Sequence, residues 1–323
     1  MLSRVADSVF WLSRYLERAE NVARFIEVNH SASLGYSAGH TQWSPLIYTT
    51  GDQSLFEEHY DEFSQTNVIN FLTFDRRNPN SILCCLESAR ENARTVRESI
   101  TFDLWHELNR FYHFVRDHEG DQETLRQPHD FLGAVKQQSY AINGITDVTI
   151  THGEAWHFSQ IGRLLERADK TSRIVDVKYF ILLPSVDAVG GPLDVVQWSA
   201  LLKSATGLTM YRRQFGRIRP REVLKFLILD RFFPRSIRFC VIRAEESLRA
   251  ITGADAGTFS TKVDQGLGRL RSALDYSSVD EIISGGVHEF IDDIQEKIND
   301  VGSLIGEAFF SRPTPDTTST ANQ

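Results

Sequence analysis

The chain has 323 residues, enough for one or two sizeable cores, and its 41% hydrophobic and 24% charged content is that of an ordinary globular protein. A formal net charge of −8 argues against a general nucleic-acid binder, and the three cysteines, Cys84, Cys85 and Cys240, offer neither metal-site spacing nor a disulfide framework. No run has the length of a membrane span, and Arg4, Asp7, Arg14 and Glu17 interrupt the opening apolar stretch as no signal peptide would, so a cytoplasmic location is expected.

Apolar residues recur at spacings of three and four rather than two, which predicts an all-α protein. A first helix is expected over 3–29 with Ser3 as N-cap, then a loop of small and polar residues over 31–42. Helical patterns follow at 43–47 and 68–75. Asn78-Pro79-Asn80-Ser81 is expected to open a helix reaching 94, with Pro79 in its first turn. Helices are expected at 102–116 and 131–151, the second weakened at Asn143-Gly144, with a polar loop over 117–128 between them. The second half predicts helices at 154–183, around Trp198, at 223–230, from Pro234 to about 251, at 262–274 and at 279–310. Gly190-Gly191-Pro192 reads as a breaker, and the Pro-, Thr- and Ser-rich tail 312–323 as disordered.

One text is written twice. Arg14-Tyr15-Leu16-Glu17-Arg18-Ala19-Glu20-Asn21 continues to Arg24; 149 residues on stand Arg163, Leu165, Glu166, Arg167, Ala168, Asp169 and Arg173. On a helix, Leu16, Ala19, Val22, Ala23 and Ile26 gather on one side, and Arg14, Glu17, Arg18, Asn21 and Arg24 on the other. At a shift of 155 residues, Trp43 meets Trp198, Asp75 meets Asp230, and Pro79 meets Pro234. At the same shift Ser81 meets Ser236, Cys85 meets Cys240, Glu91 meets Glu246 and Arg94 meets Arg249. The expected architecture is a helical bundle built from two pseudo-repeats, 1–150 and 151–311, forming one domain about a pseudo-twofold axis.

Three constellations are candidates for function. If the halves face each other, Arg14, Glu17, Arg18, Asn21 and Arg24 with Arg163, Glu166, Arg167, Asp169 and Arg173 would line one polar cleft for a carboxylate, phosphate or peptide. A solvated face or an ion-pair network between helices explains the same residues without a ligand. Glu87, Arg90, Glu91 and Arg94 share a helical stripe and, with Glu245, Glu246 and Arg249, could hold a divalent metal such as Mg²⁺. The Glu-x-x-His pattern of di-iron bundles is missing, and no cofactor is called for. The basic run Arg212, Arg213, Arg217, Arg219 and Arg221 has an acidic counterpart in the first half, Glu57, Glu58, Asp61 and Glu62; it could dock an anionic partner surface or phosphate, but a solvated helix end and loop accounts for it most simply. His106, His113, His118, His152 and His157 are scattered, and no GxSxG, Walker or GxGxxG motif is present.

The opening Met1-Leu2-Ser3-Arg4-Val5-Ala6-Asp7-Ser8 with Arg14 to Asn21 resembles the Alpha-E family, as do Asn78 to Ile82, Ala89 to Arg94, Gly162 to Asp169 and Pro234 to Ile237. The likeness runs over nearly the whole chain. It implies an all-helical bacterial protein whose partners are a circularly permuted ATP-grasp protein and often a transglutaminase-like protease. It therefore implies service to peptide- or amide-bond formation or peptide modification. It transfers no catalytic residues. The leading expectation is an accessory or substrate-binding component that holds a peptide, an amino acid or the partner enzyme. The alternatives are an enzyme using Glu17 or Glu166 as general base, or Glu87 and Glu91 with a metal, and a structural, oligomeric scaffold.

Overall fold

The computed structural model describes residues 1–33, 43–180 and 192–311, and among them are sixteen α-helices and no strand. In the first half these are α1 (Ser3–Ser33), α2 (Ser44–Thr50), α3 (Gln53–His59), α4 (Gln65–Thr73), α5 (Ile82–Thr95), α6 (Phe102–Asp117), α7 (Gln122–Arg126) and α8 (His129–Thr149). The second half brings α9 (Glu154–Phe180), α10 (Pro192–Ser204), α11 (Leu208–Phe215), α12 (Pro220–Leu224), α13 (Ile237–Thr252), α14 (Lys262–Tyr276), α15 (Val279–Gly285) and α16 (Val287–Ile305). Two π-helical turns, Lys225–Leu229 and Gly306–Phe310, extend α12 and α16. No described helix is long and apolar enough to cross a membrane.

The chain builds two hydrophobic clusters. Residues between Leu12 and Ile142 supply one, including Ile47, Phe71, Leu86, Phe111 and Val135. Residues between Ile161 and Ile305 supply the other, including Trp198, Phe226, Leu248, Leu270 and Ile294, joined by Phe10 and Phe25 of α1. Helices α1 and α9 run along the seam between the clusters and pack on each other. The apolar stripe of α1 (Leu16, Ala19, Ala23, Ile26) therefore enters the first cluster, while its polar stripe is turned toward α9. At their crossing the backbones come close. A Cβ on Gly162 would lie 2.3 Å from the carbonyl oxygen of Phe10, and Ser13 bonds Ser159 at 2.7 Å. Only small residues permit that approach.

Several helix boundaries differ from those the sequence suggests. Ser3 lies inside α1 rather than capping it. Pro79 and Pro234 precede their helices instead of opening them: Ser81 caps α5 through the Cys84 amide, and Ser236 caps α13 through the Phe239 amide. Each serine side chain satisfies an otherwise orphaned amide, so the helix begins at the cap and the proline belongs to the turn before it. Asn143-Gly144 does not break α8, α7 interrupts the expected loop at 117–128, and α3 and α11 were not foreseen. The expected 279–310 helix is cut at Gly286, whose φ of +101° suits glycine. The loop expected at 31–42 lies outside the described residues from 34 on. So do residues 181–183, Gly190, Gly191 and the tail 312–323.

Candidate functional site

The two polar stripes close on each other across the α1–α9 seam. Glu17 of α1 takes the guanidinium of Arg167 in a two-point pair, at 2.9 and 2.7 Å. Its counterpart Glu166 of α9 takes the guanidinium of Arg18 at 2.7 and 3.0 Å. Each Glu-Arg dipeptide thus binds the other one crosswise. The planar fork of arginine matches both carboxylate oxygens, a geometry lysine cannot supply. The side chains of Glu17 and Glu166 are 1% and 0% exposed. Neither carboxylate lines an open cleft.

Around each pair the surroundings complete the bonding differently. On the Glu17 side, Arg235 from the turn before α13 reaches Glu17 at 3.0 Å and Glu20 at 2.9 Å. Asn21 donates to Glu17 at 3.0 Å and accepts from Arg24, and Arg24 also pairs with Glu20 and donates to the Ser204 carbonyl at 3.1 Å. On the Glu166 side, Arg14 adds a bond at 2.9 Å, Lys170 stands 3.6 Å from Glu166 and 3.2 Å from Asp169, and Arg173 bonds Asp169 at 2.9 Å. Arg18 also donates to Asn80 at 2.6 Å, and Asn80 to Asp52 at 2.8 Å. Arg163 stands apart. It bonds Gln160 and Asn143 rather than a carboxylate, and burial together with the neighbouring Arg167 lowers its pKa to about 10.

Burial alone would raise the carboxyl pKa values. The opposing charges win: Arg167 and Arg235 hold Glu17 well below the usual carboxylate range, and Arg18, Arg14 and Lys170 do so for Glu166. Both are fixed anions at neutral pH. A general base needs a pKa near the working pH, so these two carboxylates are shifted in the wrong direction for that task. Cys85 and Cys240 sit under the two networks, each with its sulfur toward the carbonyl of Pro79 or Pro234, and burial pushes both thiols up to about 12. They are unreactive core groups.

The remaining candidates do not join this network. Glu87 meets Arg76 at 3.4 Å on the surface. Arg90 bonds Asn109 at 2.7 Å and lies over the Trp105 and Tyr112 rings, while Arg94 pairs with Glu91 at 2.7 Å. Glu246 pairs with Arg243, buried Glu245 pairs with Arg271 at 2.8 Å, and Arg249 is half-buried on α13. Each carboxylate of this second set has its own cation nearby, and among the described residues no group of three or more His, Cys, Asp or Glu is placed to hold a metal ion. Arg212, Arg213, Arg217 and Arg219 are exposed, Arg221 pairs with Asp280, and Glu57, Glu58, Asp61 and Glu62 are exposed.

The residues that sequence reasoning passed over are Glu20, Asn80, Lys170 and Arg235. A signal existed. In the sequence register Asn21 answers to Lys170 and Asn80 to Arg235, so both extra cations belong to the second half, and each network combines one of them with an asparagine of the first.

Three curated relatives, all described as uncharacterized proteins, come from Mycobacterium bovis and two strains of Mycobacterium tuberculosis. Each is 21% identical over 326 residues, covering 94% of this chain and 36% of the relative. The chain thus spans about a third of the length of the curated relatives it matches. No solved structure matches. Glu-Arg occurs in this chain at 17–18 and 166–167 and nowhere else. A family model described as a predicted alpha-helical domain with a conserved ER motif matches residues 1–310, and the chain belongs to that family, Alpha-E.

Proposed function

We propose that the chain is an accessory binding module of an ATP-grasp-linked system that forms or modifies peptide or amide bonds. In this reading two copies of one helical unit are locked together by their crossed Glu-Arg pairs. The observation that carries it is the reciprocity: Glu17 holds Arg167 while Glu166 holds Arg18, with all four carboxylate oxygens engaged. Matching caps at Ser81 and Ser236, and matching thiols at Cys85 and Cys240, support the two-copy account. Saturated, ionised carboxylates favour a module over an enzyme that uses them as bases. The part of the stripe left for a partner's anionic group is its rim, where Arg14, Arg18 and Arg173 stay 14%, 16% and 27% exposed. The mycobacterial relatives, in which the matched region is 36% of the chain, suit a module that works beside other domains.

The test is reconstitution with the cognate ATP-grasp protein. The module should co-purify with it and change its ligase turnover, and Arg14→Gln with Arg173→Gln should weaken the association while the fold persists. Absence of both association and any effect on turnover removes this reading. If Glu17→Gln abolished turnover of a substrate by the isolated, folded chain, the enzyme reading would take its place.

A further inference from the structure

An open groove of about 480 Å³ lies on the second half, lined by Arg231, Phe232, Phe239, Ile242, Arg243 and Glu246. It belongs to neither Glu-Arg cluster. Its floor is the outer face of α13 and its wall is the turn at Arg231-Phe232. Phe232 is 86% exposed, so its ring stands in the groove wall with one face open to a partner.

The first half shows how the same arginine position is treated when its own chain supplies the carboxylates. At the 155-residue register Arg231 answers to Arg76 and Ile242 to Glu87. The two turns are built alike. Asp75 accepts from the Arg77 amide at 2.9 Å, and Asp230 accepts from the Phe232 amide at 2.8 Å. Arg76 is engaged by carboxylates: Glu119, from the turn after α6, takes both its Nε and Nη2 at 2.9 Å, and Glu87 stands 3.4 Å from Nη1. In the second half Ile242 removes one of those carboxylates. No carboxylate among the described residues lies within ion-pair distance of Arg231, and Arg243 has only Glu246. The first half thus supplies its arginine with an acidic turn. The second presents the unpaired Arg231 beside exposed Phe232 and half-buried Phe239 and Ile242, with the Arg243–Glu246 pair at the far side.

We infer that this groove docks an acidic, apolar-flanked loop of a partner protein, whose carboxylate takes Arg231 as Glu119 takes Arg76 and whose apolar residue covers Phe232. A guanidinium fork selects a carboxylate, and the apolar lining selects a peptide over a bare anion. The inference rests on the two-copy register of the proposed function, but it needs neither an ATP-grasp partner nor the Glu-Arg rim.

The probe is a fluorescein-labelled, end-blocked peptide copying residues 114–121, the segment that carries Glu119, titrated with the full chain and read by anisotropy. Binding with a Kd at or below about 1 mM is expected. Glu119→Gln in the peptide and Arg231→Gln in the protein should each weaken it about tenfold. Ile242→Glu, which adds a second carboxylate to the groove at the position from which Glu87 reaches Arg76, should do the same, with circular dichroism confirming that each variant is folded. Arg212→Gln, outside the groove, should leave binding unchanged. No binding by the wild-type chain, or equal binding by Arg231→Gln, overturns the inference. Displacement by free glutamate as effective as by unlabelled peptide would make the groove a small-anion site and also overturn it. Sedimentation equilibrium covers the remaining occupant: a dimer abolished by Phe232→Ser would assign the groove to a second copy of the chain and overturn the partner.

Discussion

The Glu17 and Glu166 networks share a crossed Glu-Arg pair and differ in where the extra cation comes from. Around Glu166 the extra cations are Arg14 of α1 and Lys170 on the same helix, with Asn80 across from it; around Glu17 Arg163 does not take part, the helix carries Asn21, and the cation, Arg235, arrives from the turn before α13. Both arrangements keep the buried carboxylates compensated. Local charge balance is what the fold requires, and the element that carries the charge is free to vary. Burying an unpaired charge costs far more than relocating its partner.

That comparison can be broken most forcefully at the carboxylates. Glu166→Gln leaves both Arg14 and Arg18 with no other carboxylate at ion-pair distance among the described residues, whereas Glu17→Gln strands Arg167 alone and leaves Arg235 still paired with Glu20. Urea unfolding should show a loss of about 3–5 kcal/mol for Glu166→Gln and a smaller one for Glu17→Gln, since removing one partner strands a buried charge. The reverse order would contradict the cation inventory given above.

Acid should attack both networks together. Each carboxyl titrates lower in the folded chain than the value near 4.3 expected when unfolded, so folding releases protons as pH falls toward that range. Their contribution is fully present above about pH 5 and is lost progressively as pH falls below it. The unfolding free energy of the wild-type chain, measured from pH 7 to pH 3, should drop accordingly, and Glu166→Gln should flatten the curve. Parallel curves would show that other groups dominate acid unfolding.

The difference between the networks is sharpened by converting one into the other. Arg235→Asn removes charge-assisted bonds to Glu17 and Glu20 and should cost about 2–3 kcal/mol. Adding Asn21→Lys places a cation where Lys170 stands in the other network and should restore about half of that. If the double variant is less stable than the single one by urea titration, the two sources of charge are not interchangeable. The smallest effect belongs to the second set of candidates. Arg94→Ala breaks an exposed pair with Glu91 and should change stability by less than about 0.5 kcal/mol in the same assay.

Much of this was readable before any coordinates. Three-and-four spacing shows the helices, because burial on one side of a helix imposes that period on any sequence. The doubled Arg14–Arg24 text marks α1 and α9 as special. The choice between a wet face, an open cleft and a closed lock was not readable, because a polar stripe has the same spacing whichever of these it forms. What selects the lock is the distance between two helices roughly 150 positions apart in the chain, and that distance is set at the Gly162–Phe10 and Ser13–Ser159 crossing. Arg235 escaped for the same reason: it reaches Glu17 through space, 218 residues away in sequence, from a turn with no helical period to advertise it. The sequence by itself determined the elements and the pairing chemistry, since propensity and side-chain charge are local properties. Tertiary structure alone decided which guanidinium meets which carboxylate and that both are removed from water, because burial and ion pairing depend on what lies across the seam.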